Sequence, residues 1–306
     1  MSGLREQLDA YLQIRRAVGF KLARTELLLN DFVDYLDERH LEVATIDAAI
    51  SWAALPPNGQ SNWRAHRLSV VRSFARHLHV INPAHEVPPT KIFPTPTARA
   101  EPFIYTDGDI TALMTAAHRL GSPLRAVVME TIVGLLSVTG LRIGEALRLD
   151  RSDINPDSGV LAVNDSKFGK SRRVPLHPST IDALTAYLQV RDHHATHPSD
   201  AAVFISAAGR RLRYDNFHHS WLQLVALAGL AARSARCRPR PHDLRHTFAV
   251  RALAGWQHAG EDVAARLPAL STMLGHVDPA ATYWYLIATA ELLAGVTDRL
   301  DRQATR

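Results

Sequence analysis

The chain has 306 residues, 46% hydrophobic and 21% charged, the composition of a water-soluble globular protein long enough for two domains with separate cores. No apolar run reaches the length of a membrane span and MSGLREQLDAYL lacks the apolar region of a signal peptide, so a cytoplasmic protein with no membrane partner is expected. The single cysteine, Cys237, excludes an internal disulfide and disfavours a thiolate metal site, while a net charge of +5 permits a nucleic-acid partner without requiring one.

Residues 4–18 and 24–39 carry apolar side chains at helical spacing, among them Leu28, Phe32, Tyr35 and Leu36. Thr45 stands before IDAAISWAAL as an N-cap. Pro56-Pro57-Asn58-Gly59 then breaks the pattern ahead of SNWRAHRLSVVRSFARHLHV. There Arg64, Arg67, Arg72 and Arg76 occur with no acid, while Trp63, Val70, Val71, Phe74 and Leu78 recur at helical intervals. One face of such a helix packs and the other can meet phosphates, a merely solvated basic face being the plainer alternative. The proline-rich stretch that follows cannot continue a helix. It sets the expected boundaries: a helical domain over 1–87, a linker over 88–102 and a second domain over 103–306.

In the second domain Thr106 or Asp107 caps a helix, and 123–137 forms a strongly apolar one. Gly140 ends that pattern and Arg142 opens the next, with Ile143, Leu147 and Leu149 toward the core. Glu145 lies three residues after Arg142, so its carboxylate can hold the guanidinium. The period then changes. GVLAVNDSKFGKSRRVPL alternates and is interrupted at Phe168-Gly169, which predicts a β-hairpin with a basic turn that carries Lys167 and Lys170. Helices return over 178–189 and 215–228. Pro241 is placed to open a further helix, PHDLRHTFAV, in which His242 and Arg245 share a face and Leu244 and Phe248 an adjoining stripe. Asp278-Pro279 marks another helix start, which puts Tyr283 and Tyr285 about 200° apart around its axis. Only one of them can face His242 and Arg245. Leu292, Leu293, Val296 and Leu300 give the end of the chain an apolar stripe in need of a partner. His193-His194-x-x-His197 and His218-His219 lack the glutamate of a helical zinc motif and read as surface histidines. Neither a phosphate-binding GxxxxGK[ST] loop nor an acidic triad for two-metal chemistry is present, so no cofactor and no metal are expected.

Arg142 in VTGLRIGEALRL, the H-x-x-R-H that starts at His242, L-G-H ending at His276, and a tyrosine nine residues later together resemble the tyrosine site-specific recombinases, the phage integrases and their Xer-like relatives. The resemblance covers about residues 106–285. It implies a mainly α fold with a small β-sheet (α+β): a helical, SAM-like core-type DNA-binding domain, and a catalytic domain that clamps the duplex from the other side. It implies catalytic roles for Arg142, Lys167, His242, Arg245, His276 and Tyr285, with Glu145 in support. Lys167 best fits the hairpin lysine of the family, with Lys170 the alternative, and Tyr285 is preferred to Tyr283 for its interval from His276. Arg64, Arg67, Arg72, Arg76, Lys170 and Arg172 are the expected DNA contacts. Against the family, the interval 247–274 looks a few residues long and reads as an enlarged loop.

Phosphodiester cleavage explains these residue types. Negative charge on the non-bridging oxygens needs fixed cationic donors, which arginine supplies at any cellular pH. Histidine can hydrogen-bond and manage protons near neutrality. A tyrosine of pKa about 10 is roughly 0.1% ionised at pH 7, so its phenolate needs local support. A hairpin lysine can protonate the leaving 5′ oxygen. The resemblance implies a 3′-phosphotyrosyl intermediate that conserves bond energy without nucleotide or metal. It also implies double-stranded recombination sites as partners, a synaptic tetramer built through the C-terminal helix, and other recombinases as possible helpers, in integration, excision or transposition. A type IB topoisomerase, a catalytically silent DNA-binding regulator and, more distantly, a metal-dependent hydrolase are the competing readings.

Overall fold

The computed structural model describes residues 3–55, 61–94, 100–164, 171–194, 201–276, 282, 283 and 285. The chain divides into two compact units, Met1–Arg99 and Ala100–Arg306. Among the described residues no helix is long and apolar enough to cross a membrane.

The first unit is built from α1 (Gly3–Ala17), α2 (Ala23–Asp37), α3 (Ile46–Ala54) and α4 (Ser61–Ile81). Their apolar stripes meet in one core that fully buries Leu8, Leu29, Phe32, Trp52 and Phe74, with Phe32 edge-on to Trp52 at 5.2 Å. Thr45 caps α3 as expected, its hydroxyl accepting from the Ala48 N–H. On α4, Arg76 is exposed and Arg64 half-buried, and Arg72 donates to the carbonyls of Pro88 and Pro89 at 2.8 and 2.7 Å. Arg67 departs from the expected solvent face. It is buried, donates to the Trp52 carbonyl at 3.0 Å and to Asp31 at 3.2 Å, and lies 3.7 Å over the Trp52 ring. The reason is angular: at 100° per residue Arg67 falls within about 40° of Trp63, Val71 and Phe74, on the packed stripe.

The stretch expected as a linker does not run free at its ends. Ile92 and Phe93 pack against the core of the first unit. In the second unit the Glu101 N–H donates to the Arg236 carbonyl and Phe103 is core. Residues 95–99 lie outside the described residues.

The second unit comprises α5 (Asp107–Ala117), α6 (Pro123–Thr139), the short α7 (Ile143–Ala146), a three-stranded antiparallel sheet, and α8 (Pro178–His194), α9 (Tyr214–Leu227), α10 (Pro241–His258) and α11 (Val263–Leu274). Thr106 and Asp109 form a reciprocal capping box at α5. Apolar α6 runs through the middle of the core, contributing Val128, Met129, Ile132, Val133 and Leu136. The sheet orders β1 (Ile154–Asn155), β2 (Val160–Val163) and β3 (Arg172–Pro175) in sequence, with Val160 paired to Pro175 and Val163 to Arg172. The predicted hairpin is therefore present, while its turn, with Lys167 and Lys170, lies outside the described residues. So do the helix start expected at Asp278-Pro279 and the terminal stripe from Leu292 to Leu300.

One expectation is corrected. The interval read as an enlarged loop is helical on both sides: α10 continues to His258, and α11 starts at Val263 with the Asp262 carboxylate capping the Ala264 and Ala265 N–H groups. Pro268 inside α11 masks the helix in the sequence. Leu267, Leu270 and Leu274 nevertheless hold a helical stripe, packed with Ala249 and Leu253 of α10 and with Tyr285.

Gly140 joins α6 to this pair. Its φ of +63° caps α6 in the left-handed region, and a Cβ there would stand 2.5 Å from Phe248 Cδ1 and 2.9 Å from Leu274 Cδ2. Gly140→Ala is expected to lower the stability of the second unit by about 1–3 kcal/mol through backbone strain and overpacking. Urea unfolding checks this as a lower midpoint at unchanged slope.

Candidate active site

The site forms around the end of α11. Gly275 closes that helix at φ +65°, and the last carbonyls of a helix lack intrahelical donors. Three arginines from three elements fill the gap. From β3, Arg172 Nε donates to the Met273 carbonyl at 2.8 Å. From α10, Arg245 donates to the Leu274 carbonyl at 2.5 Å and to the Gly140 carbonyl at 2.8 Å. From the start of α7, Arg142 Nη2 donates to the Gly275 carbonyl at 3.3 Å. A Cβ on residue 275 would meet Arg172 Nη1 at 2.8 Å, so glycine serves both the turn and the approach of the guanidinium.

Glu145 lies beneath the arginines, almost fully buried. It accepts from Arg142 Nη1 at 2.8 Å and from the Arg142 backbone N–H at 2.9 Å, as the i,i+3 spacing predicts. It also accepts both Arg172 Nη groups, at 3.2 and 2.8 Å. Burial pushes its pKa up, but the hydrogen bonds from Arg172 and Arg142 overcome this and bring it down to about 2. Arg172, expected among the DNA contacts, is thus turned inward onto the buried carboxylate, its side chain 7% exposed. The carboxylate that fixes it is far away in the chain, and local spacing carries no signal of the pair.

Arg245 is 1% exposed, and among the described residues no carboxylate pairs with it. Desolvation, then the charge of Arg142, brings its pKa down to about 10. It remains protonated at neutral pH. Three guanidiniums against one carboxylate (3 − 1) leave two positive charges in the cluster, an electrostatic setting for an anion.

Two histidines one turn apart on α10, His242 and His246, meet in a T-shaped contact at 4.8 Å. His242 is exposed by area yet recessed among charged groups. Desolvation, then Arg245, Arg142 and Arg240, lowers its pKa to about 4. His276 follows the α11 cap, with Nδ1 2.7 Å from the Thr282 hydroxyl; desolvation, Arg245 and Arg142 lower it to about 4 as well. Of the two tyrosines, Tyr285 is buried and Tyr283 is 56% exposed. The Tyr285 ring lies parallel to His276, with centroids 6.1 Å apart, and its hydroxyl is 3.0 Å from His246 Nδ1. The structure therefore brings Arg142, Glu145, Arg245, His242, His276 and Tyr285 together and adds Arg172, His246 and Thr282. His246 stands inside the H-x-x-R-H motif, but the spacing gives it no role of its own. Among the described residues no group of three or more His, Cys, Asp or Glu is placed to share a metal ion.

The Glu145 carboxylate yields a pH prediction. Its folded pKa is depressed, so its contribution to stability is complete above the unfolded value of about 4.5 and is lost as pH falls toward about 2. The shift corresponds to about 3 kcal/mol. Glu145→Gln is expected to lose roughly that amount at pH 7, and urea titrations of the two proteins are expected to converge between pH 4.5 and 2. A constant gap across that range would assign the loss to packing.

The phage integrase family model matches residues 105–291. A Sinorhizobium fredii protein named as a putative integrase/recombinase is 38% identical, with 99% of this chain and 98% of that one aligned. The tyrosine recombinase XerC of Alcanivorax borkumensis is 30% identical over 83% of this chain and 78% of its own. Among solved structures, the Tn1549 transposon integrase in complex with a circular intermediate DNA matches with a TM-score of 0.63 at 17% identity, covering 93% of this chain and 95% of that one. A lambda integrase tetramer bound to a Holliday junction matches at 0.57 and 18%, covering 92% and 76%. Those two likenesses concern the fold, mainly helical with a small sheet; the family model and the sequence relatives show that the chain belongs to the phage integrase family of tyrosine recombinases.

Proposed function

We propose that this chain is a site-specific DNA recombinase that cuts and rejoins strands through a covalent bond to Tyr285. The observation that carries the reading is the convergence of Arg142 and Arg245 on adjacent carbonyls at the end of α11, in the same cluster as the buried Tyr285. The two guanidiniums meet the non-bridging oxygens of the scissile phosphate, where charge grows in the transition state. His242 and His276, neutral at pH 7, hydrogen-bond the phosphate. Attack by the Tyr285 oxygen on phosphorus forms a 3′-phosphotyrosyl bond and breaks the bond to the 5′ oxygen, which takes a proton from Lys167. The reverse attack by a 5′ hydroxyl rejoins the strands. Bond energy is retained throughout, so neither nucleotide nor metal is consumed.

Double-stranded DNA is the proposed partner. On the first unit Arg64 and Arg76 are the residues that meet phosphates in this reading, while Arg72 holds the Pro88 and Pro89 carbonyls and Arg67 braces the helix from within. Recombination needs two duplexes, hence a synaptic tetramer on DNA, with residues 291–306 seated on a neighbouring protomer. The DNA-bound relatives and the tetrameric lambda integrase support both statements by analogy of fold.

Tyr285→Phe is expected to keep DNA binding and to form no covalent adduct on a nicked suicide duplex, whereas Tyr283→Phe keeps the adduct. Denaturing gels read both, and EDTA is expected to leave the wild-type yield unchanged. An adduct that survives Tyr285→Phe would overturn the assignment.

A further inference from the structure

The proposed chemistry leaves one proton without a destination: the hydroxyl hydrogen of Tyr285. His242 and His276 are the two histidines to which the family resemblance gives a catalytic role. His276, however, lies parallel to the Tyr285 ring and has Nδ1 engaged with Thr282. His242 meets His246 edge-on. Nδ1 of His246 lies within hydrogen-bond distance of the Tyr285 hydroxyl, at 3.0 Å.

The orientation of His246 sets it apart from two other helical histidines of this protein. On the same helix His258 turns Nδ1 back to the Ala254 carbonyl at 2.7 Å, and on α8 His194 does the same to Val190 at 2.9 Å. A carbonyl can only accept, so those Nδ1 atoms carry hydrogen. A tyrosine hydroxyl can donate, so it can engage a bare Nδ1. His246 is half-buried and adjoins Arg245, whose charge favours a phenolate nearby. Resting on the reading of Tyr285 as nucleophile, we propose that His246 is a further catalytic residue, the base that accepts the Tyr285 hydroxyl proton at Nδ1 as the oxygen attacks phosphorus. The O–H bond breaks as the O–P bond forms, and the imidazolium so created returns the proton to Tyr285 on religation. The leaving 5′ oxygen draws a different proton, from Lys167, so each step balances. Among the described residues, the charged and titratable groups around the pair include His242 and Arg245 on α10, His276 after α11, Arg142 and Glu145 at α7, and Arg172 on β3.

The test uses the full chain and a duplex selected from a random pool by binding to it, made in forms nicked at each successive position. His246→Gln can hydrogen-bond the hydroxyl but cannot hold its proton, and His246→Asn serves if that variant fails to fold. Single-turnover adduct formation is expected to fall about 100-fold at pH 7, with DNA affinity unchanged, and the deficit is expected to shrink as pH rises toward about 9.5 and the phenol ionises unaided. A 5′-bridging phosphorothiolate, whose sulfur leaves without a proton, is expected to rescue Lys167→Ala and not His246→Gln. A rate within about threefold of wild type, a deficit independent of pH, or rescue of His246→Gln by sulfur would each overturn the role of His246. Adduct formation by Tyr285→Phe would instead overturn the reading beneath it.

Discussion

The second unit depends on the way one helix ends. The carbonyls of Met273, Leu274 and Gly275 face outward as α11 stops, and each receives a guanidinium from a different part of the chain. Bringing three cations together costs energy in proportion to how dry the site is. The partial negative charge at the helix terminus and the Glu145 carboxylate offset part of that cost. They do not cancel it, since two charges remain. That residual charge suits an anion from outside, with the donors already held in place by the fold.

The same charge governs the histidines. At a pKa of about 4, His242 and His276 are about 0.1% protonated at pH 7, so both are neutral hydrogen-bonding groups there. In the proposed reaction, protonation of the leaving oxygen therefore falls to a group outside their pair, the role given there to Lys167. An anion bound among these arginines would weaken their field and raise both histidines, and because His242 is exposed, solvent screening would temper that response.

How much of this is legible in the sequence follows from the range of each interaction. Thr45, Thr106, Pro241 and the Arg142–Glu145 pair act within one helical turn, and spacing alone reveals all four. Tyr283 and Tyr285 are separable by angle; the family's interval from His276 favours Tyr285, and burial sets the two apart in the structure. Arg172 and His246 owe their places to tertiary contacts with Glu145 and Tyr285, which no periodicity encodes. Arg67 is a different case. Its angle on α4 already places it among Trp63, Val71 and Phe74, and in a reading of the basic face its charge outweighs that geometry. Pro268 hides α11 despite a regular leucine stripe.

The position of Gly140 explains how arginines and tyrosine keep a common frame. Its carbonyl accepts Arg245, and its missing Cβ lets Phe248 and Leu274 close on the end of α6. Leu274 both packs there and lends its carbonyl to Arg245, so the apolar contact and the polar one share a residue. Tyr285 packs into the cluster made by Leu253, Leu267, Leu270 and Leu274. The phenol and the guanidinium of Arg245 are therefore anchored to the same two helices, one through apolar burial and the other through hydrogen bonds. A shift of α11 along α10 would move the tyrosine and loosen the arginine in a single displacement, so packing and hydrogen bonding together hold the phenol and the guanidinium in one register.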